Sequence, residues 1–268
     1  MIILTGAAGR LGRVLAPALD ALGLPLRVSD RQAADLAGLP GEPVAADLAD
    51  AAAVSALCRD ATAIVHFGAI ATEADFDSIL DANLRGTYNV FEGARANQAR
   101  VIFASSHHVI GFHERGRQLT PDSPYRPDSL YGLSKAYGEL LARLYFDKHG
   151  VESASLRIGS CAPEPGWARH LSTWLSPGDL VAAVIACVSA PVLGCRVLWG
   201  VSDNAQRWWS GDGAAELGFV PRDSAERAAG ALDPTAPDET TYAARWQGGR
   251  FCEFDAPVAS APGRKSGA

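Results

Sequence analysis

The chain has 268 residues, 48% of them hydrophobic, with a net charge of -6 from 24 basic and 30 acidic side chains. That balance suits a globular chain with a large core. It lacks the basic footprint of a nucleic-acid binder, and no apolar run reaches the ~18 residues of a membrane helix, so neither partner is expected. The five cysteines, Cys58, Cys161, Cys187, Cys195 and Cys252, are irregularly spaced. They fit neither a disulfide framework nor a CxxC metal site and read as reduced thiols of a cytoplasmic protein.

Residues 1–5 run straight into a glycine motif and read as a strand rather than a secretion signal. Leu11, Val14, Leu15, Ala18 and Leu22 then recur at helical spacing, with Pro17 inside that helix and expected to bend it. Residues 26–30 form a second strand, and a short third strand precedes Asp47. Further strands are expected at 63–67, 101–104, 154–158 and 196–199, with helices over 77–97 and 131–149. Strand-helix alternation implies parallel pairing with right-handed crossovers. The expected fold is α/β, a Rossmann-type doubly wound parallel sheet with a small C-terminal substrate-binding region. One domain is expected over 1–255, its substrate-binding part mainly within 160–230. Residues 230–255 are weakly patterned and expected on the surface of the main body, and 256–268 read as a flexible tail.

Gly6-Ala7-Ala8-Gly9-Arg10-Leu11-Gly12 lies between the first strand and the first helix. Glycines there permit a tight turn and close backbone approach, and the N–H groups at the helix start suit a pyrophosphate. Gly6, Ala8, Gly9, Arg10, Leu11 and Gly12 are therefore candidate cofactor contacts. Asp30 ends the second strand, 18 residues beyond Gly12. An acid there hydrogen-bonds the adenosine ribose and repels a 2′-phosphate, which favours NAD over NADP. Asp47 and Leu48, after the third strand, are placed to meet the adenine.

Tyr131 and Lys135 have the YxxxK spacing, which puts both on one helix face. A phenol with a pKa of ~10 is a poor base at neutral pH. A neighbouring ammonium stabilises the phenolate, so the pair is expected to take a hydroxyl proton as hydride leaves the same carbon. Ser105 and Ser106 follow the strand at 101–104, at the carboxyl ends where α/β ligands bind. Ser106 is the candidate that holds the substrate oxygen. His107, His108 and His113 invite a metal reading. Adjacent histidines on an extended segment diverge, however, and no acid is spaced to join them, so no metal site is expected.

Together these elements resemble the extended or atypical short-chain dehydrogenase/reductase superfamily, which includes the NAD-dependent epimerases and dehydratases, across roughly residues 1–220. The strand end His66-Phe67-Gly68-Ala69 and Asn83 belong to the same pattern. Several stretches are similar to the uronate dehydrogenases: Phe103-Ala104-Ser105-Ser106, Leu130-Tyr131-Gly132-Leu133-Ser134-Lys135, Arg157-Ile158-Gly159-Ser160-Cys161, Pro163-Glu164-Pro165, and Arg169 with Leu171-Ser172-Thr173-Trp174. The resemblance implies NAD-dependent oxidation of galacturonate or glucuronate at the anomeric carbon to an aldarolactone. It implies cofactor contacts at Phe67, Gly68, Ala69, Asn83, Ser105, Tyr131, Lys135, Ile158 and Cys161. It implies sugar contacts at Ala71, Thr72, Ser106, His107, His108, Tyr131 and Ser160, with Arg169 on the C6 carboxylate. Ala71 and His107 stand where the family carries Ser and Asn. It also implies a homo-oligomer joined through the helices at 77–97 and 131–149. The alternatives are another sugar or nucleotide-sugar epimerase or reductase of the superfamily, or a non-catalytic NAD-binding sensor.

Overall fold

The computed structural model describes residues 1–227 and 242–254. Its first half alternates strand and helix: β1 (Ile2–Thr5), α1 (Arg10–Asp20), β2 (Leu26–Asp30), β3 (Glu42–Ala45), α2 (Ala51–Leu57), β4 (Ala63–His66), α3 (Phe76–Ile79), α4 (Gly86–Asn97) and β5 (Arg100–Ser106). Then come α5 (Leu130–His149), β6 (Ser153–Ile158), β7 (Ser160–Cys161), α6 (His170–Thr173), β8 (Trp174–Leu175), α7 (Pro177–Ser189) and β9 (Cys195–Gly200). Seven strands form one sheet in the order β3-β2-β1-β4-β5-β6-β9. Every pairing in it is parallel. The strand order reverses beside β1, between β2 and β4, and this is where such sheets open a crevice.

Alternation along each strand builds two cores. Ile2 and Leu4 of β1, Val65 of β4 and Ile102 of β5 pack with Leu15 and Leu19 of α1 and Leu180 and Val184 of α7. Their neighbours Ile3, Ile64, Val101 and Phe103 face the other way, onto Val54, Phe91 and Tyr145 of α2, α4 and α5. Period-two burial on both faces is what a sheet covered by helices on each side requires. Local chemistry sets the helix ends. Ser129 caps α5 by accepting from the Gly132 amide, and Gly150 closes it at φ +68°. Ser176 caps α7, with Pro177 in its first turn. The α1 helix runs through Pro17 to Asp20.

A third cluster, Val109, Ile110, Leu119, Trp199, Val201 and Trp209, lies beyond the carboxyl ends of the strands. It is assembled from the 107–128 loop, β9 and residues 201–209. The short pair β7–β8 sits nearby. This cluster thus draws on chain both inside and outside 160–230. The expectation that 230–255 rides on the surface needs correction for its described part. Ala243, Gln247 and Cys252 are buried, and Trp209 Nε1 donates to Gln247 Oε1 at 2.8 Å. Gln247 Nε2 also donates to the Glu114 and Arg117 carbonyls. Weak hydrophobic periodicity hid this, because the segment is anchored by its amide and rings rather than by an apolar face. Residues 228–241 and the expected tail at 256–268 lie outside the described residues.

Candidate active site

A cleft of about 1020 Å³ runs along the carboxyl ends of β1, β2, β4, β5 and β6. At one end the glycine turn brings backbone against backbone. Gly6 has φ +68°, and a Cβ there would lie 2.6 Å from the Gly68 amide nitrogen. A Cβ at Gly12 would lie 2.2 Å from the Gly6 carbonyl oxygen. Only glycine fits either position. The α1 N-terminus has no side-chain cap, and Gly9, Arg10, Leu11 and Gly12 line the cleft. The first-turn N–H groups are thus left to an anion. Asp30 takes the Ala8 and Arg31 amides at 3.1 and 2.9 Å, which fixes its carboxylate on the cleft wall. Ala8, Asp47, Leu48, Phe67, Gly68 and Ala69 complete this end. The residues present fit a dinucleotide: uncapped helix amides for its pyrophosphate and a held carboxylate for its ribose.

The other end is built by β5, the turn after it and α5. Ser106, His107, His108, Tyr131, Lys135, Ile158, Ser160 and Cys161 line it together. Two carboxylate oxygens of Glu73 accept the Leu130 and Tyr131 amides at 3.0 and 2.9 Å, adding to the Ser129 cap. That fixes the α5 start and hence the Tyr131 ring. The Tyr131 phenol is hydrogen-bonded to the Ser106 hydroxyl, yet burial pushes it up to about 12. Burial pushes Lys135 down to about 7. Its ammonium lies 5.0 Å from the Phe103 ring centre and 5.6 Å from that of Tyr131. Burial dominates the Tyr131 phenol, with the Ser106 hydroxyl opposing the rise and the Asp128 charge adding to it. A cation brought into the cleft would lower the phenol again.

His107 and His108 do not diverge as expected. Residues His107–Ile110 form a 3₁₀ turn, and the two ring centres are 4.1 Å apart. His107 Nδ1 donates to the Ile158 carbonyl at 3.0 Å, leaving Nε2 to accept from Arg169 at 3.1 Å. His108 Nδ1 pairs with Asp128 at 2.6 Å. Burial, the leading cause for both rings, holds them well below the usual histidine range, so both stay neutral. His113 is turned away, donating to the Pro124 carbonyl at 2.8 Å. Among the described residues no cluster of His, Cys, Asp and Glu is arranged to hold a metal ion.

Three expected contacts fall off the cleft lining. Asn83 sits in a π-helical turn, Leu80–Arg85. Its amide is fully committed: Oδ1 accepts the Ile70 amide, and Nδ2 donates to the Ile70 carbonyl and Ser134 Oγ. It shapes the Ala69–Ala71 wall instead of touching the cleft. Thr72 points to solvent, whereas Ala71 stays at the rim. Arg169 stands behind His107, donating also to the Gln247 carbonyl and lying 5.2 Å from the Trp208 ring centre. Ser105 lines the cleft, but its hydroxyl donates to Glu139. Ser160 Oγ pairs with Thr173 Oγ1 at 2.9 Å.

Sequence reasoning missed Phe251. It lines the cleft and stacks on His108 with ring centres 3.8 Å apart, and it lies 5.9 Å from Tyr131. It missed Asp128 and Glu73 as well. No local motif marks any of the three, because each acts through contacts distant in sequence.

The profile of the NAD dependent epimerase/dehydratase family matches residues 2–189, and the chain belongs to that family. Within it the chain is similar to uronate dehydrogenases. That of Agrobacterium fabrum is 47% identical over 255 residues, covering 94% of this chain and 96% of the relative. That of Pseudomonas putida is 45% identical, covering 93% and 94%. The crystal structure of an Agrobacterium tumefaciens uronate dehydrogenase variant complexed with NAD superposes with a TM-score of 0.88 at 45% identity, covering 96% of this chain and 97% of that one.

Proposed function

We propose that this chain is an NAD-dependent uronate dehydrogenase, oxidising galacturonate or glucuronate at C1 to the aldarolactone. The observation that carries the reading is the convergence of Ser106, Tyr131 and Lys135 in the cleft that also holds the uncapped α1 N-terminus and Asp30. A sensor has no use for a phenol hydrogen-bonded to a serine hydroxyl at that point.

NAD, when bound, supplies the acceptor for the hydride that leaves C1. Gly9, Arg10, Leu11 and Gly12 would hold its pyrophosphate, and Asp30 its adenosine ribose. Ser106 holds the C1 oxygen, and Tyr131 Oη takes the proton of the C1 hydroxyl. Lys135, on the same helix face, supplies positive charge beside the phenol when protonated. His108 and Ser160 contact sugar hydroxyls, and Phe251 covers the ring face and excludes water. The Arg169 guanidinium, beside the His107 wall, takes the C6 carboxylate in exchange for the Gln247 carbonyl, since a charge-assisted bidentate pair is the stronger of the two. Neutral His107, held by the Ile158 carbonyl and by Arg169, forms the wall between that guanidinium and the cleft, where the family carries an asparagine.

The chemistry is tested by following NADH formation with galacturonate and with its methyl glycoside, whose anomeric oxygen carries no proton. Turnover of the free acid alone is expected. Oxidation of the glycoside would move the reaction away from C1.

Two parts of the proposal concern setting. No helix among the described residues is long and apolar enough to cross a membrane. The proposed location is the cytoplasm, a reading supported by five cysteines that form no disulfide. Leu133, Leu140 and Leu144 of α5 and Tyr88 of α4 are exposed, at 54%, 58%, 46% and 45%. A second copy would cover this face and make a homo-oligomer. Leu140→Arg should then reduce the mass seen by light scattering to that of a monomer, and a wild-type protein already monomeric would refute the point.

A further inference from the structure

We propose that Asp128 is a positioning residue for the sugar: it fixes His108 in the tautomer that leaves Nε2 bare to accept a hydrogen bond from a substrate hydroxyl. This rests on the proposed uronate oxidation. Asp128 Oδ2 lies 2.6 Å from His108 Nδ1, and its carboxylate is completely buried. An ionised carboxylate only accepts, so Nδ1 must carry the proton and Nε2 must not. The imidazole lines the cleft, and Nε2 lies on its side away from Asp128.

The structure invests heavily in placing this carboxylate. Cβ atoms on Gly111 and Gly248 would fall 1.8 and 2.0 Å from Asp128 Oδ2, and one on Gly132 would fall 3.1 Å from Oδ1. Backbone from three separate segments thus closes around it. Ser129 Oγ donates to Oδ1 at 2.7 Å, and the Asp128 amide donates to the His108 carbonyl at 3.3 Å. The ring also packs against His107, tilted at 4.1 Å, and stacks on Phe251 at 3.8 Å between centres. These contacts restrain the imidazole, and with Nδ1 facing the buried carboxylate it is Asp128 that sets the position of the ring proton.

A pH dependence follows. Asp128 is raised from its ordinary value to about 6, chiefly by burial. The groups facing the pair are His107 from the turn, Arg169 from before α6, Ser129 and Tyr131 from α5, and Cys252 from the C-terminal segment. His108 itself stays neutral. Above pH ~6 Asp128 is ionised and Nε2 accepts. Below it, protonated Asp128 donates to Nδ1, the ring proton moves to Nε2, and the acceptor offered to the sugar becomes a donor. The substrate carboxylate, with an ordinary pKa near 4, does not titrate in that window.

The test measures KM for galacturonate and Kd for NAD from pH 5 to 8 in wild type, Asp128→Asn, Asp128→Ala, His108→Gln and the double variant Asp128→Ala/His108→Gln. In wild type KM should rise in a step near pH 6, distinct from any change that Lys135 imposes near pH 7, while NAD affinity shows no step near pH 6. Asp128→Asn should lose that rise, because its amide oxygen can still accept from Nδ1 but cannot titrate. Asp128→Ala should raise KM at pH 7.5 by about 10- to 100-fold, the cost of a misdirected buried hydrogen bond. In the His108→Gln background the same change should add less than about twofold, since the residue it acts through is gone. A double variant that pays both losses in full, or Asp128→Asn retaining the acid limb, would overturn the proposal. A wild type that binds NAD but turns over no uronate would instead overturn the functional reading beneath it.

Discussion

Tyr131 and Asp30 illustrate two kinds of legibility. The YxxxK spacing located Tyr131 and Lys135 on one buried helix face, because i and i+4 positions always share a face. Their protonation was not legible, since it is set by burial among Phe103, Ser106 and His108. Tyr131→Phe should keep NAD affinity within about twofold and lower kcat by ~10² to 10⁴, the usual contribution of a positioned acid-base group. Retained turnover would require another base. Asp30 was legible because it ends a strand of fixed register beside the glycine turn. Its carboxylate is already oriented by the Ala8 and Arg31 amides, so a 2′-phosphate meets a fixed negative charge. Wild type should prefer NAD over NADP in kcat/KM, and Asp30→Ala should narrow the ratio by at least about tenfold, a change of ~1.4 kcal/mol. Equal use of the two cofactors by wild type would contradict this.

Helix α5 carries the site, and a buried ion pair holds it to the sheet. Arg157 of β6 donates to both Glu139 oxygens, and the two side chains are 1% and 0% exposed. Ser105 and Tyr125 also donate to Glu139. Phe103 packs where a Cβ on Gly138 would stand 2.3 Å away, so helix and strand meet closely at this level. Glu139→Gln should destabilise the fold by about 3–5 kcal/mol, because it strands a buried guanidinium. Chemical denaturation read by circular dichroism checks this, and a loss under ~1 kcal/mol would mean that water reaches Arg157. None of this pairing was visible in the chain, as its partners are 18 residues apart on different elements. The helix over 77–97 was legible as one periodic stretch. The π turn that divides it was not: an extra residue in the turn shifts the helical phase by about 100°, a single break that short apolar spacings on either side do not reveal, and it brings Asn83 onto the Ile70 backbone.

The parallel sheet was readable because most of its strands are short, apolar and separated by helices; the edge strand β3 is largely exposed and follows β2 without an α-helix between them. The substrate side was read only in part. The resemblance gave His108 and Ser160, but the burial of 242–254 and the arrival of Phe251 come from long-range contacts that leave no periodic trace. The buried histidines give the protein a common acid sensitivity. His66 is driven to about 3, mainly by burial, with the Lys135 charge adding to it. Its folded value lies below the unfolded one, so its contribution is complete above pH ~6.5 and is lost as pH falls towards 3, at about 1.4 kcal/mol per pH unit. Thermal midpoints should therefore drop between pH 6.5 and 4.5, and more gently in His66→Gln; identical slopes would place the loss elsewhere. All these features serve an asymmetric cleft, with one end set by the backbone of the glycine turn and the other lined by His107, His108 and Phe251, Arg169 standing behind His107; the proposed function assigns the dinucleotide to the first and the sugar to the second. The decisive measurement is kcat/KM with NAD for galacturonate and glucuronate against galactose and glucose, in wild type and in Arg169→Met. Wild type should favour the acids by ~10² to 10³, the gain of a charge-assisted bidentate pair over the imidazole and carbonyl contacts that Arg169 otherwise makes, and Arg169→Met should erase most of that preference. Equal turnover of acids and neutral sugars by the wild-type protein would contradict uronate oxidation at this site.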